Sequence, residues 1–152
     1  MSLKPPFTQE TANAKVKKAQ DLWNTKNPEA VSKAYTPTSI WRNRSTFLQG
    51  TDEIVALLTS KWNREQNYRL RKELFAFTDS QIAVQFWYEY QDAEDGMKWK
   101  RCYGIEHWTF DQDGLMRKRQ MSGNDVEIGE QGRWFTDEVV DVNSVVIGEE
   151  HW

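Results

Sequence analysis

The chain reads as an α+β protein, with one curved antiparallel sheet packed on helices that gather near the N-terminus. Three observations predict this. Four extended, aromatic-rich segments at 68–77, 81–91, 97–110 and 115–121 follow one another in the second half of the chain. Short polar turns separate them: Thr78-Asp79-Ser80, then 92–96 and 111–114, the two longer ones ending in Asp-Gly. Such punctuation favours hairpins and a meander. Helical periodicity is confined to the segments before that meander, and segregation of helices from strands excludes the alternating order of a parallel sheet.

The elements follow in order. Thr8 can cap a first helix running to about Lys26, with Val16, Ala19 and Trp23 on one face. Asn27-Pro28 restarts a helix, since Asn caps and Pro fits the first helical position. This second helix buries Val31, Ala34 and Tyr35, and Pro37 stops it. A short strand at 40–44 places Trp41 and Asn43 on one side and Arg42 and Arg44 on the other. Gly50-Thr51 opens a third helix whose positive N-terminus suits Asp52 and Glu53. Ile54, Leu57, Leu58 and Trp62 recur there at helical spacing.

The third extended segment holds a parity change. Trp99, Arg101 and Tyr103 share one face, while Glu106, Trp108 and Phe110 fall on the other if alternation holds. A β-bulge at Gly104-Ile105 would bring all six to one side and set Glu106 beside Arg101. By the same strand count Cys102 and His107 face outward. The domain spans 8–135. Residues 136–152 read as a weakly structured acidic tail, or as an arm on a partner subunit.

Composition bounds the function. A length of 152 residues suits one domain with a real core. A net charge of −3 asks for no nucleic-acid partner. The basic cluster of Lys98, Lys100, Arg117, Lys118 and Arg119 reads as a charged sheet edge. No stretch nears the roughly 20 apolar residues of a membrane span, and residues 1–6 lack a signal-peptide core. Cys102 is the only cysteine, so no intramolecular disulfide forms. The expected setting is soluble and cytoplasmic. No His/Cys/Asp cluster has metal-ligand spacing, and no phosphate loop or dinucleotide fingerprint is present, so neither a metal nor a cofactor is expected.

The chain is 13% aromatic with eight Trp, and its strands interleave these rings with charges. That combination suits a pocket that orients a small apolar or aromatic molecule. Glu106 and Arg101 form the sharpest pair: a carboxylate tuned between desolvation and a cation, or a structural ion pair. Tyr103 and Tyr88 are hydroxyl donors to a developing oxyanion, or core tyrosines bonded to carbonyls. Trp41, Trp99 and Trp108 supply apolar walls or plain packing, with Asn43 beside Trp41. Asn124 and Asp125 form a polar lip or an Asx turn.

Trp41-Arg42-Asn43-Arg44, Lys61-Trp62, 68–74, Tyr88-Glu89, Arg101-Cys102-Tyr103-Gly104, Glu106-His107-Trp108 and Asn124-Asp125 together resemble the nuclear transport factor 2-like superfamily. Within it, the chain is similar to SnoaL-like members and to a branch known as a domain of unknown function. The resemblance covers about 8–135. It implies a cone-shaped sheet wrapped on three helices and a homodimer joined through the sheet. The superfamily holds isomerases, dehydratases, cyclases and hydrolases as well as non-catalytic transport and scaffold proteins. Two functional readings follow. One is a cofactor-independent isomerase, dehydratase or cyclase using Glu106 as acid or base, with Arg101 and Tyr103. There, Glu106→Gln abolishes turnover and leaves folding nearly intact. The other is a non-catalytic ligand-binding or protein-interaction module.

Overall fold

The computed structural model describes residues 3–152. Helices α1 (Gln9–Asn24) and α2 (Pro28–Ser32) open the chain. Strands β1 (Tyr35–Asn43) and β2 (Thr46–Gln49), helix α3 (Thr51–Arg64) and strands β3 (Glu65–Phe77), β4 (Gln81–Asp92), β5 (Lys98–Phe110) and β6 (Met116–Glu127) follow. Thr8 and Asn27 cap α1 and α2 through their side chains, and Gly50 begins α3 with φ 88°. The edge strand β2 carries no apolar alternation and was not expected.

The six strands form one curved, unclosed sheet in the order β2-β1-β6-β5-β4-β3. The last four strands are the antiparallel meander, while β1 returns parallel to β6. β1 begins earlier than expected and contains Pro37. The β1–β6 ladder tolerates it because pairing skips from Tyr35 to Ile40. Helices cover the inner face of the sheet, where Val16, Trp23, Trp41, Ile54, Leu58, Leu70 and Trp108 form the main core.

The expected bulge at Gly104-Ile105 is absent. Pairing runs unbroken through Gly104 to Phe86 on one side and to Gly123 on the other. Gly104 is needed for a different reason. A Cβ there would lie 1.9 Å from Phe86 Cζ, so the ring of its cross-strand neighbour occupies the vacant side-chain position. Strict alternation therefore keeps Glu106, Trp108 and Phe110 inside and Trp99, Arg101 and Tyr103 outside.

The C-terminal segment is packed rather than weakly structured. Phe135, Val142 and Ile147 bury against Trp87 on the outer face of the sheet, with Tyr103, Trp134 and Val145 around them. Glu89 anchors this layer. Its carboxylate accepts from the Trp134 and Phe135 backbone N–H groups at 3.0 and 2.9 Å and from Arg101 Nε at 2.8 Å. Arg69 and Arg71 on β3 donate to carbonyls of Val139 and Val145, and Trp87 Nε1 donates to the His151 carbonyl. Arg71 also pairs with Glu73 at 2.9 Å, and the tail carbonyls take up the guanidinium donors left over.

Candidate functional site

Inside the sheet, three charged side chains meet with almost no solvent exposure. Lys72 Nζ lies 2.5 Å from Glu106 Oε2, and Arg119 Nη2 lies 2.7 Å from Glu106 Oε1, each of the three residues being at most 2% exposed. Trp108 Nε1 is a third donor residue to the carboxylate, reaching Oε2 at 3.0 Å, and Arg119 Nη1 donates to Asn43 Oδ1 at 3.0 Å. Both carboxylate oxygens are therefore held by charge-assisted bonds.

Aromatic rings enclose the centre. Lys72 Nζ is 4.7 Å from the Phe86 centroid and 5.3 Å from those of Trp23 and Trp108. The Arg119 guanidinium is 4.4 Å from Trp41 and 4.9 Å from Trp23. Such contacts favour both cations where water is scarce. The buried Trp41 indole N–H has no hydrogen-bond partner among the described residues and is a spare donor in the cone wall.

Two cations face one carboxylate, and the protonation behaviour reflects it. Burial pushes Lys72 down to about 8, with Arg119 repulsion adding to burial and Glu106 opposing it. Burial alone would raise Glu106, but Lys72 and Arg119 outweigh it and hold the carboxyl below its usual range. A lysine with a lowered folded pKa binds fewer protons folded than unfolded between about 8 and 10.5, so its share of stability grows with pH there. Lys15 acts in the same direction, while burial lifts Cys102 from 9.0 to about 12 and opposes both above 9. Wild type should therefore gain stability from pH 8 to 9, and Lys72→Met should show a flatter profile in urea titrations. Equal slopes in the two proteins would contradict the depressed lysine.

The structure places the sequence candidates as follows. Glu106, Trp41, Trp108 and Asn43 meet in this centre. Arg101 does not join them: it lies on the outer face, paired with Glu89 and stacked 3.3 Å from the Trp134 centroid. Tyr103 shares that face and bonds His151 Nδ1 at 2.7 Å, and Trp99 lies under Arg133. The cause is the unbroken alternation of β5. Tyr88 is inside, where Arg44 Nη2 donates to its hydroxyl at 3.4 Å, and it makes no bond to Glu106. Asp125 pairs with Arg44 at 3.0 Å. Asn124 is exposed opposite Tyr103, and both it and Asp125 lie within β6 rather than in a turn beyond it. Cys102 faces inward, not outward, and Arg44 Nη2 is 3.2 Å from its sulfur. Arg44 reaches the cone because its own backbone is left-handed, with φ 57°.

Lys72 and Arg119 were not singled out in the sequence, although one of them left a signal. Tyr68, Leu70, Lys72 and Leu74 alternate, which puts Lys72 on an apolar face. Arg119 was hidden among the basic residues of the 117–119 run.

A cavity of about 250 Å³ opens beside the centre, between α1, α2 and the ends of β5 and β6. Trp23, Tyr35 and Trp108 line it, so two rings that enclose the ion cluster also form the cavity wall. Among the described residues, no three His, Cys, Asp or Glu side chains gather as a metal site.

An open six-stranded sheet with three helices on its inner face and a polar centre enclosed there is the nuclear transport factor 2-like, SnoaL-like fold. The family model described as protein of unknown function DUF1348 matches residues 5–136, and the chain belongs to that family. No curated protein matches the chain. Among solved structures, the epoxide hydrolase/cyclase-like enzyme SalBIII, with a role in pyran ring formation in the polyether salinomycin, is similar. Its TM-score is 0.68 at 12% identity, over 76% of this chain and 92% of that one. AclR from Streptomyces galilaeus gives a TM-score of 0.65 at 12% identity, over 77% and 91%. At such identities the likeness is one of fold. No helix among the described residues is long and apolar enough to cross a membrane.

Proposed function

We propose that the protein takes a small organic ligand into the cone and performs cofactor-independent acid–base chemistry of the isomerase, dehydratase or cyclase kind. The observation that carries this reading is Lys72, a buried amine caged by the Trp23, Phe86 and Trp108 rings, where burial lowers its pKa. A proton carrier works best when its pKa lies near the working pH, and a buried lysine reaches that range by desolvation. Lys72 would move the proton once an entering ligand displaces the Trp23 and Trp108 rings, which separate the closed ion centre from the cavity. Arg119, which stays charged, would hold a developing anion. Glu106 would orient both cations, and Trp41 would offer its free N–H to an oxygen. Arg101 and Tyr103 have no part in this arrangement, because they lie on the opposite face.

A second reading is non-catalytic ligand binding. The full saturation of the Glu106 oxygens favours it, since a carboxylate bonded to three donors is a poor base. The expected homodimer through the sheet stays part of either reading. Ile105 and Val126 support it, being 61% and 47% exposed on the outer face.

One experiment separates the two. Small carbonyl compounds that raise the melting temperature are followed by mass balance with wild type and Lys72→Met. The catalytic reading expects conversion by wild type, and binding without conversion by Lys72→Met. Stabilising ligands that wild type leaves unchanged support the binding module.

A further inference from the structure

The cavity beside the ion centre has a chemical asymmetry. Its interior is apolar, with the rings of Trp23, Tyr35, Trp108 and Phe110 set among alanine, leucine and methionine side chains. Its remaining polar lining comes from Lys15, Lys18 and Lys33, and among the described residues no acidic side chain lines it. Lys18 and Lys33 are exposed, and neither forms an ion pair among the described residues. Lys15 is more enclosed, donating to the Gly114 carbonyl at 2.7 Å and standing 5.2 Å from the Phe110 centroid.

We propose that this cavity binds a small aromatic carboxylate, its ring among Trp23, Tyr35 and Trp108 and its carboxylate at the three lysines. The inference rests on the proposed function in taking this cavity as the ligand's seat, and it needs no turnover. Size agrees: about 250 Å³ lies just below the usual pocket range of about 300–1,000 Å³, which suits one or two rings rather than a long ligand. Charge agrees as well. Burial and the neighbouring Lys18 push Lys15 down to about 8, and Asp111 offsets this only in part. A bound anion would relieve the repulsion between these ammonium groups. Orientation follows, since the exposed end of the cavity is cationic and its floor is made of rings.

The test compares 2-naphthoate with its neutral isostere 2-naphthamide by isothermal titration calorimetry on the full chain. The acid should bind at least about tenfold more tightly than the amide, as three partly screened charges can supply. Raising the salt should weaken the acid and leave the amide unchanged. The double variant Lys18→Gln, Lys33→Gln changes two exposed side chains that form no ion pair among the described residues, and it should weaken the acid about threefold to tenfold. Ala34→Trp, which fills the cavity, should abolish binding of both probes. Equal affinity for acid and amide, both lost in Ala34→Trp, overturns the carboxylate assignment while the pocket reading stands. Binding of the acid undiminished by Ala34→Trp places the ligand elsewhere and overturns the assignment. Binding of neither probe to wild type overturns the assignment together with the pocket reading.

Discussion

Glu106→Ala is expected to destabilise the protein by about 3–5 kcal/mol, the range for removing one partner from a buried ion pair. The loss should be large because two cations depend on this carboxylate. Lys72 can respond by shedding its proton, since its pKa is already down at about 8. Arg119 cannot, because a guanidinium stays charged at any accessible pH. At 2% exposure it would face the Trp23 and Trp41 rings with only Asn43 as an oxygen partner. Glu106→Gln should lose most of the same stability. It returns an oxygen acceptor but no charge, so the sequence-based expectation of nearly intact folding changes. Lys72→Met should cost clearly less, because it leaves one carboxylate facing one guanidinium. Urea unfolding measures all three. A loss below about 1 kcal/mol for Glu106→Ala would mean that water reaches Arg119 and that the centre is not sealed.

Glu89→Ala is the second large effect, on the opposite face of the same sheet. It leaves Arg101 buried without a carboxylate and removes the acceptor of two tail N–H groups. A cost of about 3–5 kcal/mol is expected here too. Its signature is local. The tail from Arg133 onward should lose hydrogen-exchange protection, Trp87 emission should move toward that of a solvated indole, and proteases should cut within 133–152. Glu106→Ala should leave this segment protected at the same fraction folded. If the tail stays equally protected in Glu89→Ala, its apolar anchors at Phe135, Val142 and Ile147 suffice without the carboxylate.

The two carboxylates show how far the sequence could be read. Element types were legible because local signals agreed: Thr8 and Asn27 caps, the Asp-Gly turns and the period-two strands all matched what formed. The site was half legible. Glu106, Trp108, Trp41 and Asn43 were chosen from residue type and parity, and they do meet. Arg101 was misplaced by a single assumption, that Gly104 marks a bulge. A strand glycine has a second use, giving room to a cross-strand ring, and nothing in the local sequence tells the two apart. One residue of parity then moves every following side chain to the other face. Lys72 was legible in principle from the apolar residues two positions either side of it. Arg119 was not, since its burial depends on Trp41 arriving beside it through the parallel β1–β6 pairing. The order of the tail was also hidden. Its anchors are single apolar residues spaced through an acidic stretch, and the surface they need is formed by strands far away in sequence.

The account rests on the Lys72–Glu106–Arg119 centre being kept for chemistry rather than for stability. Replacing a whole buried ion cluster by apolar residues of similar volume is often neutral or stabilising by about 1–4 kcal/mol. The decisive measurement is therefore the triple variant Lys72→Met, Glu106→Leu, Arg119→Met, assayed for stability by urea unfolding and for conversion of a ligand that wild type turns over. The account predicts a folded protein at least as stable as wild type with conversion abolished. A folded triple variant that converts the ligand at the wild-type rate would contradict it.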